Sequence, residues 1–239
     1  MNYWTDTANE LICGDCLDVM AGMADDSVDV VITDPPYPGL AGGYNRHGLE
    51  PNRRPSISVG DEWQASLEWV SHAKRIARLG AIVFCSYHSV VEVALAFGDW
   101  RRVALLTWYK RNAAPTGKNV PRFSNEFIWC FARQPGLRWD ALKTTVFDIP
   151  TLTWASAERV VDREGASVHP TQKPLALMNC LLAVTRPGMI VLDPFMGTGT
   201  TGVAAVQAEC VFKGIEIDPI YYNISAERIT DALRQPRLL

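Results

Sequence analysis

Histidine is scarce in this chain, four residues among 239, and the four are scattered, so no cluster with metal-ligand spacing can be assembled from them. No metal site is expected. Six cysteines (13, 16, 85, 130, 180 and 210) sit mostly in apolar segments, the setting of reduced core thiols. Cys13-Gly14-Asp15-Cys16 has the Cys-x-x-Cys spacing but lacks a second pair, so a structural role is favoured over zinc or redox chemistry. Long hydrophobic runs are missing too: none approaches the ~20 residues that would span a bilayer. The first residues lack the basic start and apolar core of a signal peptide, and a cytoplasmic protein is the expectation. There is no internal repeat and no low-complexity segment. What remains, 48% hydrophobic and 21% charged, is the composition of a globular protein, expected as a single domain over 1–239.

A net charge of −3 by itself argues against nucleic acid, but its distribution points the other way. From Arg101 to Lys143 there are nine basic and two acidic residues, a local charge of +7 on an otherwise acidic chain. Such a stretch predicts a phosphate-facing surface, with a solvated face as the alternative. Lys110, Arg111, Lys118 and Arg122 are its candidate contacts. Residues 38–60 carry no usable periodicity, but they hold several glycines together with Arg46, Arg53 and Arg54. A loop of this length in a compact domain predicts a mobile flap that orders on an anionic partner, with a passive linker as the alternative.

The chain is organised around Thr33-Asp34-Pro35-Pro36-Tyr37. Val28 to Ile32 is a short β-branched run, the pattern of a buried parallel strand. Two consecutive prolines then forbid both further ladder bonding and an immediate helix. A carboxylate and an aromatic ring are left on a stiff turn at the carboxyl end of a strand, where open α/β sheets bind ligands. Other strands are expected at 10–13, 81–85, 103–109, 127–131, 189–192 and 211–215. Helices are expected near 17–26, from Asp61 to Gly80, and over 88–97, 175–182 and 220–233. The two strands at 103–109 and 127–131 have no helix between them, which predicts an antiparallel edge. Residues 134–168, irregular and aromatic, are either a small recognition region or a loop packed on the core.

Near the end, Asp193-Pro194-Phe195-Met196-Gly197-Thr198-Gly199-Thr200-Thr201-Gly202 joins a strand to a helix, and the next strand ends at Glu216. Glycines let the backbone approach a nucleoside without an intervening Cβ, and an acid at that strand end can accept from ribose hydroxyls. A nicotinamide oxidoreductase competes at this point. Two features count against it: Phe195, Thr198 and Thr200 narrow the turn that a pyrophosphate would need, and only 23 residues follow Glu216 to complete the sheet.

Taken together, Gly14-Asp15, Asp34 to Tyr37, Trp108-Tyr109-Lys110, Glu126, His169 to Pro174, Asp193 to Gly199 and Glu216 with Tyr222 resemble the amino-methylating DNA methyltransferases of the beta group. The resemblance covers nearly the whole chain; the short recognition region is the departure. It implies S-adenosyl-L-methionine as cofactor and double-stranded DNA as partner, with room for a homodimer and no membrane. The implied fold is Rossmann-like, a doubly wound, seven-stranded, mostly parallel sheet with one antiparallel strand and circularly permuted motif order. Asp34 and the Pro35 carbonyl, on the turn stiffened by Pro36, would accept the target amino protons while Tyr37 stacks on a flipped base. Asp193, Phe195, Gly197, Gly199 and Thr200 would surround the cofactor, with Thr171 and Lys173 near its carboxylate, Glu216 on its ribose and Asp15 near its adenine. Asp at position 34 leans toward adenine N6 over cytosine N4. A catalytically idle DNA-binding module is the alternative from another class.

Overall fold

Val28–Thr33 carries apolar residues on both faces because both are covered, and every residue of the strand is buried, the polar Asp29 and Thr33 included. The computed structural model describes residues 2–6, 8–36, 67–113, 122–153, 155–161, 167–168 and 171–234. Among them run β1 (Asn2–Asp6), β2 (Asn9–Cys13), α1 (Cys16–Ala21), β3 (Val28–Thr33), α2 (Glu68–Ile76), β4 (Ala77–Cys85), α3 (Val90–Ala96), β5 (Arg101–Tyr109) and β6 (Asn125–Ala132). A 3-10 turn at Trp139–Ala141 leads to β7 (Val146–Asp148), α4 (Leu175–Leu182), β8 (Ile190–Asp193), α5 (Thr200–Gln207), β9 (Val211–Glu216) and α6 (Pro219–Arg234).

The strands form one sheet in the order β1-β2-β9-β8-β3-β4-β6-β5-β7. The seven expected strands make its body, and β6 runs antiparallel to both β4 and β5. Two short edge strands extend it beyond the expectation: β1 pairs antiparallel with β2, and β7 pairs parallel with β5. Alternation sorts the core into two layers. Val30, Ile32, Ile82 and Phe84 pack with Leu177 and Leu181 of α4, Val203 of α5 and Ile229 of α6. Val31, Ala81, Val83 and Cys85 face the other way, onto Met20 of α1, Trp69 and Val70 of α2, and Val93 and Phe97 at α3.

One expected boundary is corrected. The helix predicted to run to Gly80 stops at Ile76, and β4 begins at Ala77 with Gly80 inside it. Gly80 is there for close approach, since a Cβ would lie 2.3 Å from the Phe131 carbonyl oxygen on β6. The proposed cap Asp61 lies outside the described residues. Within 134–168, Leu137 and Phe147 are buried in the core and Trp139, Leu142 and Ile149 lie against it, while Val146 and Val161 are exposed.

Candidate active site

β3 and β8 are neighbours in parallel register, Val31 opposite Leu192, so their carboxyl ends meet. Thr33 Oγ1 donates to Asp193 Oδ1 at 2.7 Å, and Thr201 Oγ1 donates to Asp193 Oδ2 at 2.6 Å. The Phe195 amide also donates to Asp193 Oδ1, at 3.0 Å. Asp193 is thus the knot that ties the Asp-Pro-Pro corner to the glycine turn and to the first turn of α5. Burial pushes its carboxyl up to about 6, against the pull of these hydrogen bonds. The Asp34 charge pushes in the same direction as burial.

The glycine turn is shaped by conformations open to glycine. Gly197 has φ 52° and Gly199 φ 80°. A Cβ on Gly199 would come within 2.7 Å of Ser225 Cβ on α6. Arg228 of α6 holds the turn from behind, donating to the Thr198 carbonyl and lying 3.3 Å from the hydroxyls of Thr198 and Thr200. Phe195 meets Trp69 edge to face, with centroids 5.6 Å apart. At the end of β9, Glu216 Oε2 accepts from the Gly197 amide at 2.8 Å and Oε1 from the Asp218 amide at 2.9 Å. Burial raises its carboxyl to about 6. A carboxylate has about four lone-pair sites, so two amide bonds leave acceptor capacity for a pair of hydroxyl donors. Next to it, the Gly14 amide donates to the Glu216 carbonyl, and Asp15 caps α1 through the Leu17 amide at 2.8 Å. A left-handed glycine turn with an amide-held acid beside it fits a nucleoside-bearing cofactor.

Asp34, next to Thr33 at the end of β3, has a different setting. The Lys173 ammonium bonds to Asp34 Oδ2 and lies 3.4 Å from Glu126 Oε2. Glu126 Oε1 in turn takes a bond from Lys110. Lys173 is 8% exposed, Glu126 16% and Lys110 15%, while Asp34 at the end of the row is 26% exposed. Burial opposes charge on both central groups, and the neighbours win. Lys173 and Lys110 hold Glu126 below the usual carboxylate range, while Asp34 and Glu126 hold Lys173 above the usual ammonium range.

The expected site residues therefore divide. Asp34, Pro35, Pro36, Asp193, Phe195, Gly197, Gly199, Thr200, Glu216 and Asp15 come together at the carboxyl edge of the sheet. Thr171 is exposed at the turn before α4. Lys110 corrects its expectation as a phosphate contact: its charge is directed inward to Glu126. Arg111 pairs with Asp148, and Arg122 is exposed. Arg101 begins β5, and Arg111 follows its far end. Tyr37, Arg46, Arg53, Arg54, Lys118 and the 38–60 loop lie outside the described residues. Sequence reasoning missed the hold of Arg228 on the glycine turn. It also missed the clamp in which Gln172 accepts from the Val160 amide at 2.9 Å and donates to the Glu158 carbonyl at 2.8 Å.

A family model described as "DNA methylase", covering N6 and N4 methyltransferases, matches residues 28–227. The chain belongs to this family. The methylase is 27% identical to the Type II methyltransferase M.HinfI of Haemophilus influenzae over 260 residues, 97% of this chain and 71% of that protein. It is 26% identical to the Type II methyltransferase M2.MboI of Moraxella bovis, over 90% of this chain and 85% of that protein. Solved structures share the fold. The M1.HpyAVI–SAM complex aligns with a TM-score of 0.68 at 24% identity, over 92% of this chain and 98% of that one. The cytosine-N4-specific PvuII DNA methyltransferase aligns with a TM-score of 0.71 at 16% identity, over 96% and 92%. Membership sets aside the oxidoreductase reading. Among the described residues no helix is long and apolar enough to cross a membrane.

Proposed function

We propose that this DNA methylase transfers a methyl group from S-adenosyl-L-methionine to the N6 amino group of adenine in duplex DNA, with Asp34 as the acceptor at the reacting nitrogen. The observation that carries the reading is the joining of two strand ends. Thr33 and Asp193 hydrogen-bond across β3 and β8, so the acidic corner and the glycine turn lie side by side at the carboxyl edge of the sheet.

Gly197, Gly199 and the Asp193-Pro194-Phe195 turn would hold the methionine part of the cofactor, and Glu216 the ribose. The bound cofactor supplies an electrophilic methyl on a cationic sulfur. An exocyclic amine is a poor nucleophile because its lone pair is delocalised into the ring. Asp34 and the Pro35 carbonyl, both directed at N–H bonds, favour a pyramidal nitrogen with its lone pair available. They also stabilise the positive charge that builds on it. Asp34 takes the proton that the nitrogen sheds. Holding the amine in line is positioning, which by itself removes a large part of such a barrier. The target is unreachable inside a duplex, so the base is flipped at a cost of a few kcal/mol, and Tyr37 is the stacking partner we assign to it.

The preference for adenine rests on an aspartate, not a serine, at position 34. The test is to incubate the protein with radiolabelled S-adenosyl-L-methionine and unmethylated DNA, digest the product and separate the nucleosides. Label in N6-methyladenine is expected. Label in N4-methylcytosine overturns the base assignment, and no label on DNA overturns the activity.

A further inference from the structure

We propose that Lys173 is the positioning residue for Asp34, and that Glu126, anchored by Lys110, draws part of Lys173's charge away so that Asp34 stays an effective proton acceptor. This rests on the reading of Asp34 as the group facing the target amine.

Four charges of alternating sign, Lys110, Glu126, Lys173 and Asp34, run in a row from the end of β5 across β6 to the end of β3. A buried row of ions is a poor means of stabilising a fold, because desolvating each charge costs several kcal/mol, and well-packed apolar groups of the same volume often do as well. The row ends on the acid at the centre of the site, which gives it a different use. A lone lysine bonded to Asp34 would hold the carboxylate in place but make it a weak acceptor. Lys173 is shared instead: one bond goes to Asp34 Oδ2, and Glu126 Oε2 lies 3.4 Å away on the other side. Lys110 keeps Glu126 ionised, and its own ammonium rests 4.9 Å from the Trp108 ring centre. The fully buried Phe84 ring lies 5.2 Å from Lys173 Nζ.

Among the described residues, two other titratable groups face this row. Asp193 on β8 is near enough to Asp34 for the two charges to repel. Cys85 on β4 faces both Asp34 and Glu126, and burial together with those charges raises its thiol to about 12, so it stays neutral. Removing Lys173 takes away the ammonium that bonds to Asp34 beside Glu126, and removing the Glu126 charge takes away one of the two carboxylates that share this ammonium.

The two deletions therefore shift Asp34 in opposite directions, an outcome that a merely structural role does not give. The carboxyl titration of Asp34 is followed by carbon NMR in protein labelled at aspartate, with the resonance assigned through Asp34→Asn. In Lys173→Met the midpoint rises by one pH unit or more, and in Glu126→Gln it falls. The acidic limb of methyl transfer moves with it, while the S-adenosyl-homocysteine affinity of Glu126→Gln stays within threefold of wild type by calorimetry. An Asp34 titration unchanged in both variants overturns the proposal. So does a Lys173→Met protein that loses cofactor affinity with Asp34 unmoved, since Lys173 would then serve the cofactor carboxylate. If Lys173→Met fails to fold, Glu126→Gln decides alone. If wild type moves no methyl group to DNA, the activity reading falls, and the NMR titration still decides the row.

Discussion

Asp34 and Asp193 close two neighbouring strands, yet their surroundings share almost nothing. Asp34 is bonded to a buried ammonium, which is itself divided with a second acid. Asp193 is bonded to two hydroxyls and a backbone amide, and its carboxyl titrates near 6. Glu216 follows the second pattern, with two amides as donors and a carboxyl near 6. In the proposed reading the difference separates a corner for proton chemistry, with cations close by, from a corner for holding, where neutral donors fix the acid's direction and leave its remaining lone pairs open.

The sharpest way to break this comparison is to remove the acid from the first corner. Asp34→Ala is expected to lower single-turnover methyl transfer by at least about 10²–10³-fold, the loss typical of one preorganised electrostatic partner. S-adenosyl-homocysteine binding, measured by calorimetry, should stay near normal. A comparable loss of cofactor affinity would show that the corners are not separate.

A change confined to the second corner should do the reverse. Gly199→Ala imposes a side chain at φ 80° and drives it to 2.7 Å from Ser225 Cβ and 3.0 Å from Ser225 Cα. Left-handed strain and overpacking together make a loss of about 2–4 kcal/mol. Urea denaturation would measure it, accompanied by weakened cofactor binding. A fully stable variant with normal affinity would refute the role given to this turn.

The smallest effect is a pH dependence. The Glu216 carboxyl titrates at about 6 in the folded chain, against 4.5 for an unperturbed glutamate. The folded chain therefore binds this proton more readily than the unfolded chain, and the site's contribution to stability falls as pH rises from about 4.5 to 6. Glu216→Gln removes that titration, so the variant should gain on wild type across this window. The gain is at most about 2 kcal/mol, since a tenfold difference in proton affinity between the folded and unfolded chains corresponds to about 1.4 kcal/mol. In thermal melts that is a few degrees, absent below about pH 4.

Much of this arrangement was legible from local pattern. Val28 to Ile32 could only be a strand covered on both faces, and Pro35-Pro36 could only end it. The order strand, glycine turn, helix, strand, acid placed Asp193, Gly199 and Glu216 correctly relative to one another. The misreadings arose where a distant residue gave the reason. Gly80 resembled a helix stop, but the Phe131 carbonyl, 51 positions later, is what requires it. Lys110 resembled a phosphate ligand because its local charge is positive, yet Glu126 faces it across the antiparallel pair, with Trp108 opposite Glu126. The strand β7, three residues long, is visible only once β5 offers it an open edge.

Sequence by itself determined the chemistry on offer, a stiff acidic corner and a glycine turn with an acid beyond it, because strand ends and backbone conformation are set by neighbours in the chain. Tertiary structure decided what each charge does. Lys110, Glu126, Lys173 and Asp34 are separated by up to 139 positions and meet only because the sheet runs β3-β4-β6-β5. The strength of a charge follows from its distance to other charges and from its removal from water, and neither exists until the sheet has formed.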